Sequence, residues 1–380
     1  MTTCDVAIVG GGPAGSTCAR ALVAAGLRVV VLDRSTFPRV KLCAGWLSPA
    51  IWDVLGLAPS EYPRGLWEWR TCHVHFRGRD HAIRGHGWFI RRFELDEFLL
   101  TRSGAELRLG VHVKQITRDA GDDRWVLELP DGTALHARYL VGAGGTNCPV
   151  ARMLAPPRPR RALGVQELEL QADPLAIERA RLGRDGEPEL LLFPDFAGYG
   201  WNVPKSDWLN VGCGTLDAGE VHAAWQSTRE HLKDHLPDVQ LDHLKGHSYF
   251  LYDPAHLERA SQDNALLVGD ALGLAHPVTG EGILPAVVSG ACAAEAILAG
   301  DAASYGVRLA RHPVIADYRL AHRVVNAVKT LKHRAVEPAG RASKLGSYAV
   351  ARGFGWMFSG AKLPAPRLLD RVLDLLPSGR

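Results

Sequence analysis

The sequence lacks a paired-cysteine pattern, a clean hydrophobic run and any hydrolase signature. Its seven cysteines stand at 4, 18, 43, 72, 148, 213 and 292, an odd number with neither zinc-like nor thioredoxin-like spacing. That excludes a disulfide scaffold and points to free thiols in a reducing, cytoplasmic setting. The longest apolar stretch, 282–300, is interrupted by Glu295 and three glycines, so a buried helix is expected there and not a membrane span. The apolar N-terminus has no basic n-region, and its glycines punctuate it as strand, turn and helix, not as a secretory signal. Neither a G-x-S-x-G elbow nor a Ser-His-Asp order occurs. His231 and His235 lie four apart on an expected helix, but no third ligand is placed by motif. A solvated helix face is the reading there, and no metal is expected. Internal repeats and low-complexity linkers are missing too, and no nucleic-acid partner is indicated.

What is present is an ordinary globular balance: 380 residues, 47% hydrophobic and 22% charged, a length at which more than one core usually develops. The net charge of +3 hides an asymmetry. From 306 to the end there are 14 Lys and Arg against 4 Asp and Glu, whereas the first 305 residues carry a net −7. The basic end reads as a solvated helical face, or as a peripheral contact with a membrane surface, an anionic substrate or an acidic partner.

Residues 5–9 (DVAIV) predict a buried strand, 10–15 (GGGPAG) a glycine turn, 16–26 a small-residue helix and 28–33 (RVVVLD) a second strand. This is a βαβ unit within about thirty residues. Residues 92–104 look helical, and three strands follow with a DG turn at 131–132. From about 155 to 260 charged strands, a helix near 218–236 and an aromatic hairpin around 198–214 predict a second, mostly antiparallel layer. ALLVGD at 265–270 returns as a buried strand, and a helix begins near 282. Beyond 306 the chain is expected to be helical, broken by Pro338, Pro364 and Pro366.

Two constellations carry chemistry. In the first, Gly10 permits a tight turn, Gly12 lets backbone approach a pyrophosphate and Gly15 lets helix pack on strand. Pro13 and Ala14 open the helix whose N–H groups face the phosphates. Asp33, with Arg34 after it, ends the next strand 18 residues past Gly15, where a carboxylate can accept both ribose hydroxyls. In the second, 266–283, Gly269 and Asp270 end a strand, and Gly280, Gly282 and Ile283 open a helix whose N-terminus can face a flavin pyrimidine edge. Alone this is also a plain strand-to-helix turn; beside the first motif it points to FAD and not NAD.

Together with the R-x-x-L-D element at 92–96 and YLVGAGG at 139–145, these motifs resemble the para-hydroxybenzoate hydroxylase-like flavoproteins. Within that group the chain most resembles the geranylgeranyl reductase family. FPRVKLCAGWLSP at 37–49 is similar to its K-x-C-G-G segment, GYGWNVPK at 198–205 to its Y-x-W-x-F-P, and HPVTGEGI at 276–283 to its P-x-T-G-E-G-I. The departures are Ala44 for a glycine, Val203 for a phenylalanine, and Leu284 with Pro285 for an aromatic pair.

The resemblance implies an α/β fold: a Rossmann-like, GR2-type FAD-binding domain (1–70, 91–155 and 260–305), an inserted antiparallel β-sheet substrate domain (71–90 and 156–259) and a basic helical C-terminal region (306–380). It implies that Arg92 contacts the FAD diphosphate or ribityl region, that Val113 holds the adenine through its backbone, and that Gly144 adds to the cofactor site. Cys43, Ala44 and Gly45 would lie against the isoalloxazine, with Cys43 as a redox or acid group unless it is a small buried thiol. Tyr199, Trp201 and Pro204 would line the substrate cavity; Tyr199 and Trp201 also read as a core pair. The implied activity is reduction of carbon–carbon double bonds in a prenyl chain or other bulky apolar substrate, with hydride from reduced flavin. No second glycine fingerprint for NAD(P)H is present, so the electron donor is either a transiently docking nicotinamide or a protein such as ferredoxin. The rivals are a flavin monooxygenase or, less well matched, a halogenase, and an electron-transfer module serving a membrane quinone.

Overall fold

The computed structural model describes residues 2–119, 121–154, 162–171, 173, 175, 187–233, 236, 241–242, 244–335 and 344–358. The first strand, Thr2–Val9, is buried from Val6 onward, as a strand covered on both faces requires. A helix follows at Pro13–Ala24 with proline in its first turn, where a missing N–H costs nothing. Gly26, at φ +85°, then turns the chain into the strand Val29–Asp33.

The first sheet has a parallel centre in the order Ala265–Leu267, Ala134–Gly142, Thr2–Val9, Val29–Asp33 and Glu106–Leu109. Trp125–Glu128 and Gln115–Arg118 extend it as an antiparallel ribbon. The helix Ile283–Leu298 packs against Pro13–Ala24, and Gly290 lets the two backbones come together. A Cβ there would fall 2.3 Å from the carbonyl oxygen of Ala14.

The second sheet runs Lys245–Phe250, Ala162–Gln171, Trp208–Thr215, Gly198–Lys205, Glu189–Leu192, Trp67–Phe76, Arg79–Phe89 and Trp46–Leu47. Every pairing is antiparallel except Glu189–Leu192 with Trp67–Phe76. The helix Val221–Leu232 covers one face, placing Trp225 and Leu232 over Leu209, Val211 and Cys213. Two stretches cross the division read from the sequence. Trp46–Leu47 and the start of Trp67–Phe76 lie within 1–70 yet pair into this second sheet.

The C-terminal part is helical where it is described, at Tyr305–Arg311, Pro313–Ala335 and Lys344–Phe358. The last of these packs on the second sheet, where Ala351, Phe354 and Phe358 join a cluster with Trp46, Trp69 and Phe89. Pro338, Pro364 and Pro366 lie outside the described residues. Among the described residues no helix is long and apolar enough to cross a membrane. The apolar stretch near 282–300 is instead the helix Ile283–Leu298, buried along most of its length.

Candidate functional site

A cavity of about 850 Å³ runs from the glycine turn, between the sheets, to the inner face of the second sheet. Its first end is built from backbone. Gly10 has φ +118°, and a Cβ would fall 2.3 Å from the carbonyl oxygen of Ala143; at Gly15 it would fall 2.0 Å from that of Gly10. These two glycines are demanded by the fold. Gly12 is not. Its φ is an ordinary −74°, and the nearest atom to an added Cβ would be Arg39 Nη2 at 3.5 Å. A side chain at 12 would project into the cavity, which is the room a closely approaching pyrophosphate needs. Pro13 and Ala14 line the wall beside it. No side chain caps the helix they begin, so its first N–H groups are left for an anion.

Asp33 sits at the rim. Its Oδ2 accepts from the Gly11 N–H at 2.8 Å and its Oδ1 from the Ser35 N–H at 2.9 Å. Those contacts fix the carboxylate while each oxygen keeps a lone pair for a ribose hydroxyl. Arg34, Val113 and Gly144 also line the cavity. Arg92 lines it while held by a bidentate pair to Asp96, Nε–Oδ1 and Nη2–Oδ2 both 2.9 Å. Asp96 is wholly buried and also takes Arg39 Nη2 at 3.2 Å. One carboxylate therefore fixes two guanidinium groups beside the cavity and leaves one positive charge in excess. Sequence reasoning named Arg92 but not Arg39, whose partner is distant in the chain.

The second motif closes the other side of this end. Gly269, Asp270, Gly280, Gly282 and Ile283 line the cavity, and Lys41 Nζ lies 3.4 Å from Asp270 Oδ2. Gly280 has φ +69°, and a Cβ there would fall 2.3 Å from the Tyr249 hydroxyl. The turn before it is shaped by His276, whose Nδ1 accepts from the N–H groups of Val278 and Thr279, both at 3.1 Å. Burial pushes this imidazole down to about 3, so it stays a neutral acceptor. The helix Ile283–Leu298 also starts without a side-chain cap.

The far end is an aromatic and apolar wall. Two-residue alternation puts Tyr199, Trp201 and Val203 on one face of their strand, and all three line the cavity. Pro204 does not. It falls on the opposite face with Gly200, which lies against Thr228 of the helix Val221–Leu232, so the expectation that Pro204 lines the cavity is corrected in favour of Val203. Trp201 Nε1 donates to Asn210 Oδ1 at 2.7 Å, and Asn210 Nδ2 donates to the Cys43 carbonyl at 3.4 Å. The Tyr199 hydroxyl donates to the Thr279 carbonyl. Phe358 completes the wall, 5.4 Å from Tyr199 and 4.9 Å from Trp46 between ring centres.

Cys43 and Ala44 line the cavity between its two ends, and Cys43 Sγ accepts from the Gly45 N–H at 3.3 Å. Gly45, like Gly15, stands one layer back. Its φ is +72°, and a Cβ would meet the Ile90 carbonyl oxygen at 2.0 Å.

Two titratable groups that no motif announced, Glu167 and His247, also line the cavity, as does Glu281 of the T-G-E-G-I turn. Burial raises the Glu281 carboxyl to about 7 against a short hydrogen bond from the Ser48 hydroxyl, 2.6 Å. Glu167 is 1% exposed, and burial raises it to about 7 although Lys205 favours its charge. Neither of its oxygens completes a hydrogen bond of good geometry. His247 stands beside it, Nδ1 to Oε1 3.9 Å, and the Asn210 side chain is its hydrogen-bonding neighbour. Burial first, and then Lys41, push His247 down to about 4.

Outside the cavity, His231 is half-buried, with its ring 4.4 Å from that of His75. His235 lies outside the described residues. Among the described residues no three His, Cys, Asp or Glu side chains are grouped to hold a metal ion.

A glycine-turn βαβ unit, an acid at the second strand end and a cavity shared with an inserted sheet define an FAD-dependent oxidoreductase. The family model described as "FAD dependent oxidoreductase" matches residues 5–87. The chain is 28% identical over 330 residues to the menaquinone reductase of Mycobacterium tuberculosis, covering 79% of this chain and 78% of that one. It is 28% identical over 322 residues to the chloroplastic geranylgeranyl diphosphate reductase of Oryza sativa, covering 78% and 67%. Among solved structures, a geranylgeranyl bacteriochlorophyll reductase-like protein of Thermoplasma acidophilum superposes with TM-score 0.65 at 19% identity, over 100% of this chain and 92% of that one. The flavin-dependent brominase Bmp2 superposes with TM-score 0.72 at 19% identity, over 98% of each. The chain is thus an FAD-dependent oxidoreductase with geranylgeranyl reductases among its homologues.

Proposed function

We propose that this enzyme reduces carbon–carbon double bonds of an isoprenoid or similarly bulky apolar substrate. The observation that carries this reading is the wall of Trp201, Tyr199, Val203, Leu190, Trp46 and Phe358, continuous with the dinucleotide cradle in one cavity. Such a wall suits a long hydrocarbon and excludes water from it. The names of the two relatives, a menaquinone reductase and a geranylgeranyl diphosphate reductase, agree with an isoprenoid.

Bound FAD supplies hydride-transfer chemistry when reduced. The chain's residues do the rest. Gly12 and the uncapped helix at Pro13 accept the pyrophosphate, Asp33 the ribose, and Arg92 and Arg39, fixed by Asp96, balance the negative charge. Trp201, held by Asn210, and Tyr199, held by the Thr279 carbonyl, present fixed faces to the substrate. The electron donor is proposed to be a transiently docking nicotinamide or a small redox protein such as ferredoxin.

The test is to reduce the FAD-loaded enzyme with dithionite under argon and add geranylgeranyl diphosphate, menaquinone or a geranylgeranylated lipid. Products heavier by about two hydrogens per reduced bond are expected. Absence of reduced product, with oxygen-dependent hydroxylation of an aromatic compound instead, would replace this reading by a monooxygenase.

A further inference from the structure

Glu167 and His247 share the cavity wall for a reason of sheet geometry. On the strand Ala162–Gln171, Val165 and Glu167 point to one face, and His247 stands beside Val165 on the neighbouring strand. On the other side Glu167 faces Gly212, and Gly212 faces Trp201. A Cβ at 212 would fall 2.5 Å from Trp201 Cζ2 and 2.6 Å from Glu167 Cβ. The glycine is what lets the indole and the carboxyl lie against each other.

A carboxyl 1% exposed, with the Asn210 amide beside it but no hydrogen bond of good geometry to either oxygen, is an expensive group to keep in a wall that is mostly apolar. The charged groups around it do not cancel that cost. Lys205 is committed to Glu169 at 2.6 Å and Arg92 to Asp96. His247, whose other neighbours are Lys41, Asp270 and Arg92, is held neutral. The group therefore lies on the cavity wall as a carboxyl whose protonated form burial favours, beside a neutral imidazole, at the place where the apolar wall begins.

We propose that Glu167 is the acid that delivers the proton in double-bond reduction, and that His247 returns a proton to it. Rested on the reading above, the balance is complete. Reduction of one C=C bond by two electrons breaks the π bond and forms two C–H bonds. One takes the hydride from reduced FAD, which ends oxidised, and the other takes the proton of the Glu167 O–H. The carboxylate left behind is reprotonated from water by way of His247. Glu167 is chosen over Glu281 because Gly212 sets it directly against the indole of Trp201, whereas Glu281 Oε1 accepts from the Ser48 hydroxyl.

Infrared difference spectra of the FAD-loaded enzyme should show protonated-carboxyl bands that titrate near 7. One band should vanish in Glu167→Gln and the other in Glu281→Gln. In anaerobic single turnovers the flavin of wild type should be reoxidised by the alkene at a rate that is level below pH 7 and falls above it. Glu167→Gln should lower that rate by about 100-fold or more and lose the break, with FAD affinity unchanged. His247→Gln should slow repeated turnover more than the first. An undiminished rate with the same break in Glu167→Gln, or no loss of a carboxyl band, overturns the proposal. Should that variant not fold, Glu167→Asp must show a slowed rate with a displaced break, and an unchanged profile overturns the proposal equally. Failure of wild type to reduce any alkene would instead overturn the parent reading.

Discussion

The indole N–H of Trp201 donates to Asn210 Oδ1 at 2.7 Å, deep in the second sheet. Because Asn210 also reaches the carbonyl of Cys43, one amide ties the apolar wall to the segment that carries Cys43. Asn210→Leu leaves a buried indole N–H unpaired. It is expected to lower stability by about 1–3 kcal/mol, read from urea unfolding. Trp201→Ala should reduce turnover of a bulky substrate far more than FAD affinity, read from flavin fluorescence against steady-state rates.

Gly12 and Gly15 separate two kinds of glycine requirement. At Gly12 the protein leaves space, so Gly12→Ala should change stability by less than about 1 kcal/mol while weakening FAD binding at least tenfold. At Gly15 an added Cβ strikes the Gly10 carbonyl. Gly15→Ala is expected to destabilise the apoprotein by about 1–3 kcal/mol through overpacking. Calorimetry of the apoproteins beside FAD titration distinguishes the two.

Asp33→Ala should weaken FAD retention by about 1.5–3 kcal/mol through a lost charge-assisted contact. Unchanged affinity would remove the ribose from Asp33 and leave it only its backbone role, holding Gly11 and Ser35.

Glu281 makes the apoprotein pH-sensitive in a definite sense. Its carboxyl ionises near 4.5 when unfolded and near 7 when folded. Between those values the folded state binds more protons, so stability falls as pH rises and levels off above 7. The cavity side of the residue is partly open, and the loss is expected to be on the order of 2 kcal/mol. Urea unfolding at pH 5 and pH 8 should show that decline in wild type and a reduced one in Glu281→Gln.

The cofactor end was legible because its determinants are local. Gly10, Gly12, Gly15 and Asp33 fall within one βαβ unit, and the 266–283 segment carries its own turn. Alternation also put Tyr199 and Trp201 on one face, but the parity of that strand was not applied to Pro204, which the same rule sends to the other side. Glu167 read as one more charge in a charged strand. Its meaning comes from Gly212 and His247, which sheet pairing brings beside it from 45 and 80 residues away. Arg39 needed Asp96, and Phe358 needed a helix read only as part of a basic tail.

That helix gives the chain a separable end-stop. Phe358 closes the apolar wall from an element that contributes nothing to the dinucleotide cradle. Altering the helix Lys344–Phe358 should change the extent of the apolar wall while Gly12, Asp33 and Arg92 stay as they are. On the proposed isoprenoid reading, the length of chain accepted would be set by Lys344–Phe358, as a fence at the end of a track whose start is fixed by the first thirty residues.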